Sequence, residues 1–379
     1  HLIAGDLTGG AAKGAYWLHL ALLEENIDSY IVTNSIEDYK SSKINALSKK
    51  FINRVNFSFF SRIFKFLEYR YFKRKKIIFN TGFDGIDITR LKLYKKADII
   101  HLHWINGLVR VSSLSKVNKP IIWTLRDMWP MTGGCHYSGI NDCDNYKTGC
   151  GSCPQLASNN KYDLSYYILR NKLKYLPNNI YLVGLSNWIS QCAKESKIFK
   201  NSLNFTIGNN INTELFYQED KKISKKKFNL PSDKKIILIG AQNINDFYKG
   251  LDLFLKASGE VKTKNVQIVT FGNSEYSYND TYKFINLGFI RDISQLRAVY
   301  SSADVFIAPS RMESFGKTIA ESMACGTPAV IFGGSGSEDV ITHKVDGYIA
   351  KPFDTFDMAI GIDWILNNND HHQLSKRSI

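Results

Sequence analysis

No run of about 18 consecutive apolar residues occurs in the 379-residue chain, which excludes a membrane-spanning helix. Carboxylates are scarce beside cations, 35 against 49. The resulting formal charge of +14 calls for an anionic partner: nucleotide, nucleic acid or acidic membrane. Cysteine is sparing too. Of the six, Cys192 and Cys325 stand alone, and isolated cysteines used as small apolar residues favour a reducing compartment. The first residue is His1 rather than Met, inside a strand-like run, and the last residues stop in mid-element. Further chain is therefore expected at both ends, and the residues in hand do not decide on a signal peptide.

What is present is globular. Hydrophobic residues make up 44% and aromatics 13%, and the length exceeds one ordinary core, so two domains are expected. Residues 2–24 read as a strand (LIAGD), a glycine loop holding Gly9 and Gly10, and a helix (YWLHLALLEE). Further β-rich runs follow at 30–33, 77–79, 98–104, 120–125 and 181–186, separated by helical stretches. Such alternation predicts a parallel α/β sheet, in which ligands bind at the carboxyl ends of strands. His103 and the pair Arg126–Asp127 fall at such ends, although any single polar residue there serves structure as readily as chemistry. A crossing to a second β/α series is expected near 186–215, with strands at 236–242, 266–272, 284–289, 305–310 and 329–332. Within it Lys249–Gly250 opens a helix, placing a lysine at a strand-end cleft where it suits a leaving diphosphate.

The stretch 310–328, SRMESFGKTIAESMACGTP, carries the most chemistry. A helix is predicted from near Gly316 to about Cys325, stopped by Gly326 and Pro328. Its first turn attracts a phosphate through unused N–H groups and a partial positive charge. Glu313 and Glu321 would repel that phosphate unless they accept hydrogen bonds from flanking hydroxyls, one set on a sugar and one on a ribose. The bland reading is a capped surface helix with two solvated acids.

Two further segments stand out. Residues 40–76 hold 12 Lys or Arg against one acid, Glu68, interleaved with aromatics. Such a segment suits an anionic bilayer surface, a nucleic-acid backbone or a plain solvated face. Cys135, Cys143, Cys150 and Cys153 lie within 19 residues in the pattern C-x7-C-x6-C-x2-C, with His136 beside the first. Four soft ligands closing on a C-x2-C knuckle suit a structural zinc site; two disulfides are the rival. Asp142–Cys143–Asp144 reads as loop acids.

Together Gly9–Gly10, Lys249–Gly250, and Glu313-x7-Glu321 with Phe315–Gly316 and Gly326–Thr327–Pro328 resemble the retaining glycosyltransferases of family 4. TLRDMWPMTGGCHYSG with GCGSCPQL is similar to a branch serving colanic-acid-type exopolysaccharide, capsule and O-antigen. The resemblance implies an α/β GT-B fold, two Rossmann-like domains with parallel sheets facing across a cleft. Residues 1–210 would form the acceptor domain and 211–355 the donor domain, with a C-terminal helix over 356–379 packing back towards the first. Glu313 would meet donor-sugar hydroxyls and Glu321 the ribose. Phe315 lies inside the donor motif, and Gly316, Lys317 and Thr318 would offer N–H groups to the diphosphate. Lys249 would neutralise the departing phosphate, and Gly288 and Phe289 lie where the base is held. Many members carry a histidine after the strand where this chain has Arg126, which cannot act as a base but would still hold the donor sugar or phosphate and is kept as a catalytic-site residue; His103, Asp127 and His136 are acceptor-side candidates. The arginine many members carry further on is replaced by Ala241–Gln242.

The resemblance implies a hexose moved from a UDP- or GDP-linked donor to a lipid-linked oligosaccharide, without a catalytic metal. The enzyme would be cytoplasmic, peripheral at the inner membrane face, with no nucleic-acid partner. A nucleotide-sugar epimerase of the same fold and a zinc-stabilised nucleic-acid-binding protein are the alternatives.

Overall fold

The computed structural model describes residues 1–35, 41–47, 70–273 and 284–379. Most of the basic aromatic segment at 40–76 thus lies outside the described residues, which retain 41–47 and 70–76 of it. The chain divides into two compact units, His1–Asn210 and Ile211–Ile379.

In the first unit, β1 (Ile31–Thr33) and β2 (Ile44–Ala46) pair in parallel. A second parallel run follows the order β3 (Ile100–Leu102), β4 (Ile121–Leu125), β5 (Ile180–Gly184), β6 (Asn204–Thr206). The stretch LIAG, expected as a strand, joins the two runs. Leu2 bridges in parallel to both Val32 and Leu102. Ile3 N–H donates to the Val32 carbonyl at 3.1 Å and Ala4 N–H to that of Trp104 at 2.6 Å. The stretch is cut short because Gly5 turns away with φ 105°. With LIAG in the middle, the segments run third, second, first, fourth and onwards, a doubly wound order whose switch point lies between LIAG and β3.

The run IIF at 77–79, also expected as a strand, gives one antiparallel bridge, Phe79 to Cys135. The Gln155 amide takes the carbonyls of Ile77 and Ile78 instead, at 3.2 and 2.9 Å. Helices α1 (Gly10–Glu24), α2 (Leu164–Tyr175) and α3 (Asn187–Glu195) complete the parts used below. The α2 start is fixed by Asp163, whose carboxylate accepts from the N–H groups of Ser165 and Tyr166. Leu102, Trp123, Leu125 and Leu182 lie in the core without exposure.

The second unit repeats this plan. Its strands are β7 (Lys235–Asn243), β8 (Val266–Asn273), β9 (Phe284–Asn286), β10 (Val305–Ala308), β11 (Ala329–Phe332) and β12 (Tyr348–Ala350). They stand in the order β12-β11-β10-β7-β8-β9, all parallel, with the switch point between β7 and β10. The central runs VFIA and AVIF are buried along their whole length, as covered parallel strands require. Helices α4 (Leu251–Glu260), α5 (Ile293–Ser302) and α6 (Lys317–Ala324) belong to this unit.

The C-terminal stretch expected as one helix forms two, α7 (Thr355–Leu366) and α8 (His371–Ser378). The polar run NNND separates them, and Asp370 caps the second by accepting from Gln373 N–H at 3.1 Å. Met358, Ile362, Ile365 and Leu374 pack with Val305 and Val330 in the core of the second unit.

Candidate functional site

The loops at the switch point of the second unit are held by one glycine. Gly250 sits in the left-handed region at φ 68°, and a Cβ there would stand 2.0 Å from the Pro309 carbonyl oxygen. No side chain fits, so the turn after β7 presses on the loop after β10. Arg311 fastens the same junction. It donates to the Phe247 carbonyl at 2.8 Å and forks onto Asp252 at 2.9 and 2.6 Å.

This junction brings together two residues 64 positions apart. Lys249 Nζ lies 2.6 Å from Glu313 Oε1, which also accepts from Ser310 Oγ at 2.9 Å. Burial pulls the Lys249 ammonium down, but the Glu313 carboxylate outweighs it and the net shift is upward. The lysine is therefore cationic at neutral pH while keeping a third of its side chain exposed.

Helix α6 starts immediately beyond. Its N-cap, Gly316, has φ 90° and offers no capping side chain, so the first turn keeps N–H groups that helical bonding does not use. Glu321 lies on this helix and is buried. Its carboxylate accepts from the Tyr300 hydroxyl at 3.1 Å and stands 3.6 Å from Lys317 Nζ. Burial and the Glu321 charge push the Tyr300 phenol well up, so it remains a donor. Phe315 and Thr318 are half-buried beside this start.

At the far end of the sheet, Gly288 (φ 69°) follows β9, with its carbonyl accepting from Gly272 N–H at 2.8 Å. Phe289 is 39% exposed there, with the Arg291 guanidinium 5.9 Å from its ring centre. Sequence reasoning missed one neighbour of Glu313. The loop after β11 carries Ser335 and Ser337, both buried, and Gly336 N–H donates to the Glu313 carbonyl at 2.8 Å. The signal was visible as the cluster GGSGS directly after a strand.

In the first unit the acceptor-side candidates separate into two networks. Arg126 Nη1 donates to Asn209 Oδ1 at 2.6 Å, and Nη2 to His103 Nδ1 at 3.3 Å. Burial lowers the Arg126 guanidinium to about 10, so it keeps its charge. Asn209, which holds it, was not foreseen, because no local pattern links positions 83 apart. The second network centres on Asp127. His136 Nδ1 lies 2.6 Å from its Oδ2, Trp104 Nε1 donates to the same oxygen at 2.9 Å, and Trp129 N–H donates to Oδ1 at 2.8 Å. Gly9 caps α1 without a side-chain bond, and Gly10 opens the helix with empty space where a Cβ would stand.

His1, His101 and His103 have ligand-capable nitrogens all within 4.8 Å of one another. A metal does not suit them. Arginine only donates, so His103 Nδ1 is an acceptor, and its Nε2 holds the proton shared with His1 Nδ1 at 2.9 Å. A metal-bound histidine needs an acceptor behind it, and here a guanidinium stands there.

The four clustered cysteines are free thiols, Cys153 buried and Cys135, Cys143 and Cys150 half-buried. Gly133 N–H donates to Cys150 Sγ at 3.2 Å. Gly151 (φ 142°) shapes the C-x2-C turn, where a Cβ would stand 2.2 Å from the Lys161 carbonyl oxygen. Lys172 is wholly buried beside Cys150 and Cys135, with its ammonium 3.7 Å from the Trp129 ring centre. Burial lowers that ammonium to about 7.

Residues 220–378 match the profile of the family described as Glycosyl transferases group 1. A protein of Methanocaldococcus jannaschii named an uncharacterized glycosyltransferase is 28% identical over 160 residues, 40% of this chain and 40% of that protein. The putative colanic acid biosynthesis glycosyl transferase WcaC of Escherichia coli is 24% identical over 357 residues, 88% of this chain and 82% of that protein. The crystal structure of Anabaena HepE in complex with UDP and glucose matches with a TM-score of 0.63 at 13% identity, covering 100% of this chain and 91% of that one. The fold is GT-B, built from Rossmann-like units with parallel sheets.

Proposed function

With a group 1 glycosyl transferase domain over residues 220–378 as the premise, we propose that this chain is a retaining hexosyltransferase using a nucleotide-sugar donor. The observation that carries the reading is the Lys249–Glu313 pair at the switch point, directly before the open start of α6. The diphosphate lies at that start, with Gly316, Lys317 and Thr318 supplying backbone N–H groups and Lys249 meeting the charge that grows as it departs. Glu313 accepts from sugar hydroxyls and Glu321 from the ribose, while Gly288 and Phe289 border the base. In the transfer, the bond between the sugar carbon and the diphosphate oxygen breaks as the acceptor oxygen bonds to that carbon on the same face. The acceptor proton passes to the leaving phosphate. Lys249 and the helix start meet the charge, so the scheme needs no catalytic metal.

The donor is UDP- or GDP-linked, the former favoured by the UDP in the HepE structure. The acceptor is a lipid-linked oligosaccharide of surface-polysaccharide synthesis, a reading supported by the name of the E. coli relative. The enzyme acts at the cytoplasmic face of the membrane, where the basic composition of 40–76 suits acidic lipid, and it takes no nucleic-acid partner. Calorimetric titration and transfer assays with UDP- and GDP-sugars test this. Glu321→Ala is expected to weaken donor binding at least about tenfold. Lys249→Ala is expected to lower turnover about a hundredfold. Unchanged kinetics in both variants would remove the assignment, and donor turnover without acceptor would turn it into an epimerase.

The cysteine cluster is separable from this chemistry. Cys135, Cys143, Cys150 and Cys153 would hold a structural zinc, a reading supported by the N–H donated to Cys150 and by the buried Lys172 amine beside two of the thiols. Zinc supplies cross-linking only. Metal analysis of the purified protein is expected to find about one zinc per chain, with chelation lowering the melting temperature. Metal-free protein with oxidised thiols would instead establish disulfides.

A further inference from the structure

Helix α2 turns one face into the core and leaves the other uncovered. Leu164, Ile168 and Leu169 are buried, whereas Tyr167, Arg170, Leu173 and Lys174 are exposed. The spacing 167, 170, 174 aligns an aromatic and two cations along that outer face. Immediately before the helix Tyr162 is 54% exposed, and Tyr167 is 56% exposed.

A second stretch extends the same surface. The Tyr71 hydroxyl accepts from Leu164 N–H at 3.0 Å, and Tyr71 packs with Phe83 on the cluster that includes Leu164 and Ile168. Residues 70–76, RYFKRKK, are thereby anchored at the start of α2. Phe72 there is 85% exposed, more than any other large apolar side chain among the described residues. A concavity lined by Phe83, Tyr167, Arg170 and Lys174 opens on the same side. Within 70–76 and 161–176 the single carboxylate is Asp163, buried as the cap of α2.

We propose that this surface seats the first unit on an anionic lipid bilayer. Cations grouped around α2 and its start attract acidic headgroups, half-exposed tyrosines sit at headgroup depth, and Phe72 and Leu173 reach the acyl boundary. A nucleic-acid strand would exploit the cations and rings, but it gives no gain to an exposed leucine beside them. The inference deepens the proposed reading, in which the acceptor is lipid-linked, by naming the face that meets the membrane.

Sedimentation of the full chain with phosphatidylcholine vesicles, and with vesicles that also contain phosphatidylglycerol, tests it. The wild type is expected to bind the acidic vesicles selectively and to lose them as salt rises. Arg170→Glu with Lys174→Glu, and separately Phe72→Ser with Tyr167→Ser, are each expected to weaken binding at least about tenfold. Both variants should keep the thermal shift given by a nucleotide sugar, which establishes that they fold. The surface assignment falls if the wild type ignores lipid charge or if folded variants bind as the wild type does. It also falls if the variants lose binding to a single-stranded oligonucleotide while no protein binds vesicles. Vesicle binding without any nucleotide-sugar shift would leave this surface standing and remove the donor reading; the converse result would do the opposite.

Discussion

Arg126 is the residue where chemistry and structure are hardest to separate. Its guanidinium lies under α1 so closely that a Cβ on Gly14 would stand 2.5 Å from Nη1. Asn209 Oδ1 and His103 Nδ1 both accept from it. Arg126→Ala should therefore leave the buried His103 Nδ1 and the half-buried Asn209 amide without that donor, and a void beneath the helix. We expect a loss of about 2–4 kcal/mol in chemical denaturation. A loss below about 0.5 kcal/mol would mean that the network is dispensable. The strand-end position of Arg126 was legible in the sequence, since an apolar run stops one residue before it. Its partners were not, because contact across 83 positions leaves no local pattern. Glu321 illustrates the same limit. Its place on a helix could be read from TIAESMA, but its burial against Tyr300 depends on how α5 packs.

At the scale of elements, most of the fold was legible. Long apolar runs became strands because a parallel sheet covered on both faces asks only for β-branched and apolar residues in series. The misreadings occurred where side chains compete with the backbone. IIF failed as a strand when the Gln155 amide took its carbonyls, and the C-terminal helix broke where NNND supplied a cap in place of a core face. The loop carrying Ser335 and Ser337 escaped notice for a related reason. Gly-Ser runs read as connectors, and only the fold brings this one against Glu313.

At the scale of the whole molecule, buried histidines make the first unit sensitive to acid. In the first, burial holds His101 down to about 3 and His103 well below its ordinary value, with the Arg126 charge adding to both. His19, buried against Ser29, is lowered for the same first reason. An unfolded chain would protonate all three near pH 6.5. Above that pH neither state binds the protons. Below it the unfolded state gains what the folded state refuses, and stability falls until the folded values are reached, near 3 for His101. Each such histidine costs up to about 1.4 kcal/mol per pH unit. Five of the six tryptophans lie in His1–Asn210, so intrinsic fluorescence follows that unit. Its urea midpoint is expected to drop between pH 7 and 5, and a flat midpoint across that range would contradict the buried neutral histidines.

The two units also share one strand order, each with its own switch point. Under the proposed roles, choice of sugar and choice of acceptor are then written in separate sets of loops, borne on separate cores. Such a chain is modular in its specificity. Loops after β3, β4 and β5 can diverge toward a new acceptor without disturbing Gly250, Arg311 or the grip on the nucleotide, and the donor loops can drift with the same freedom.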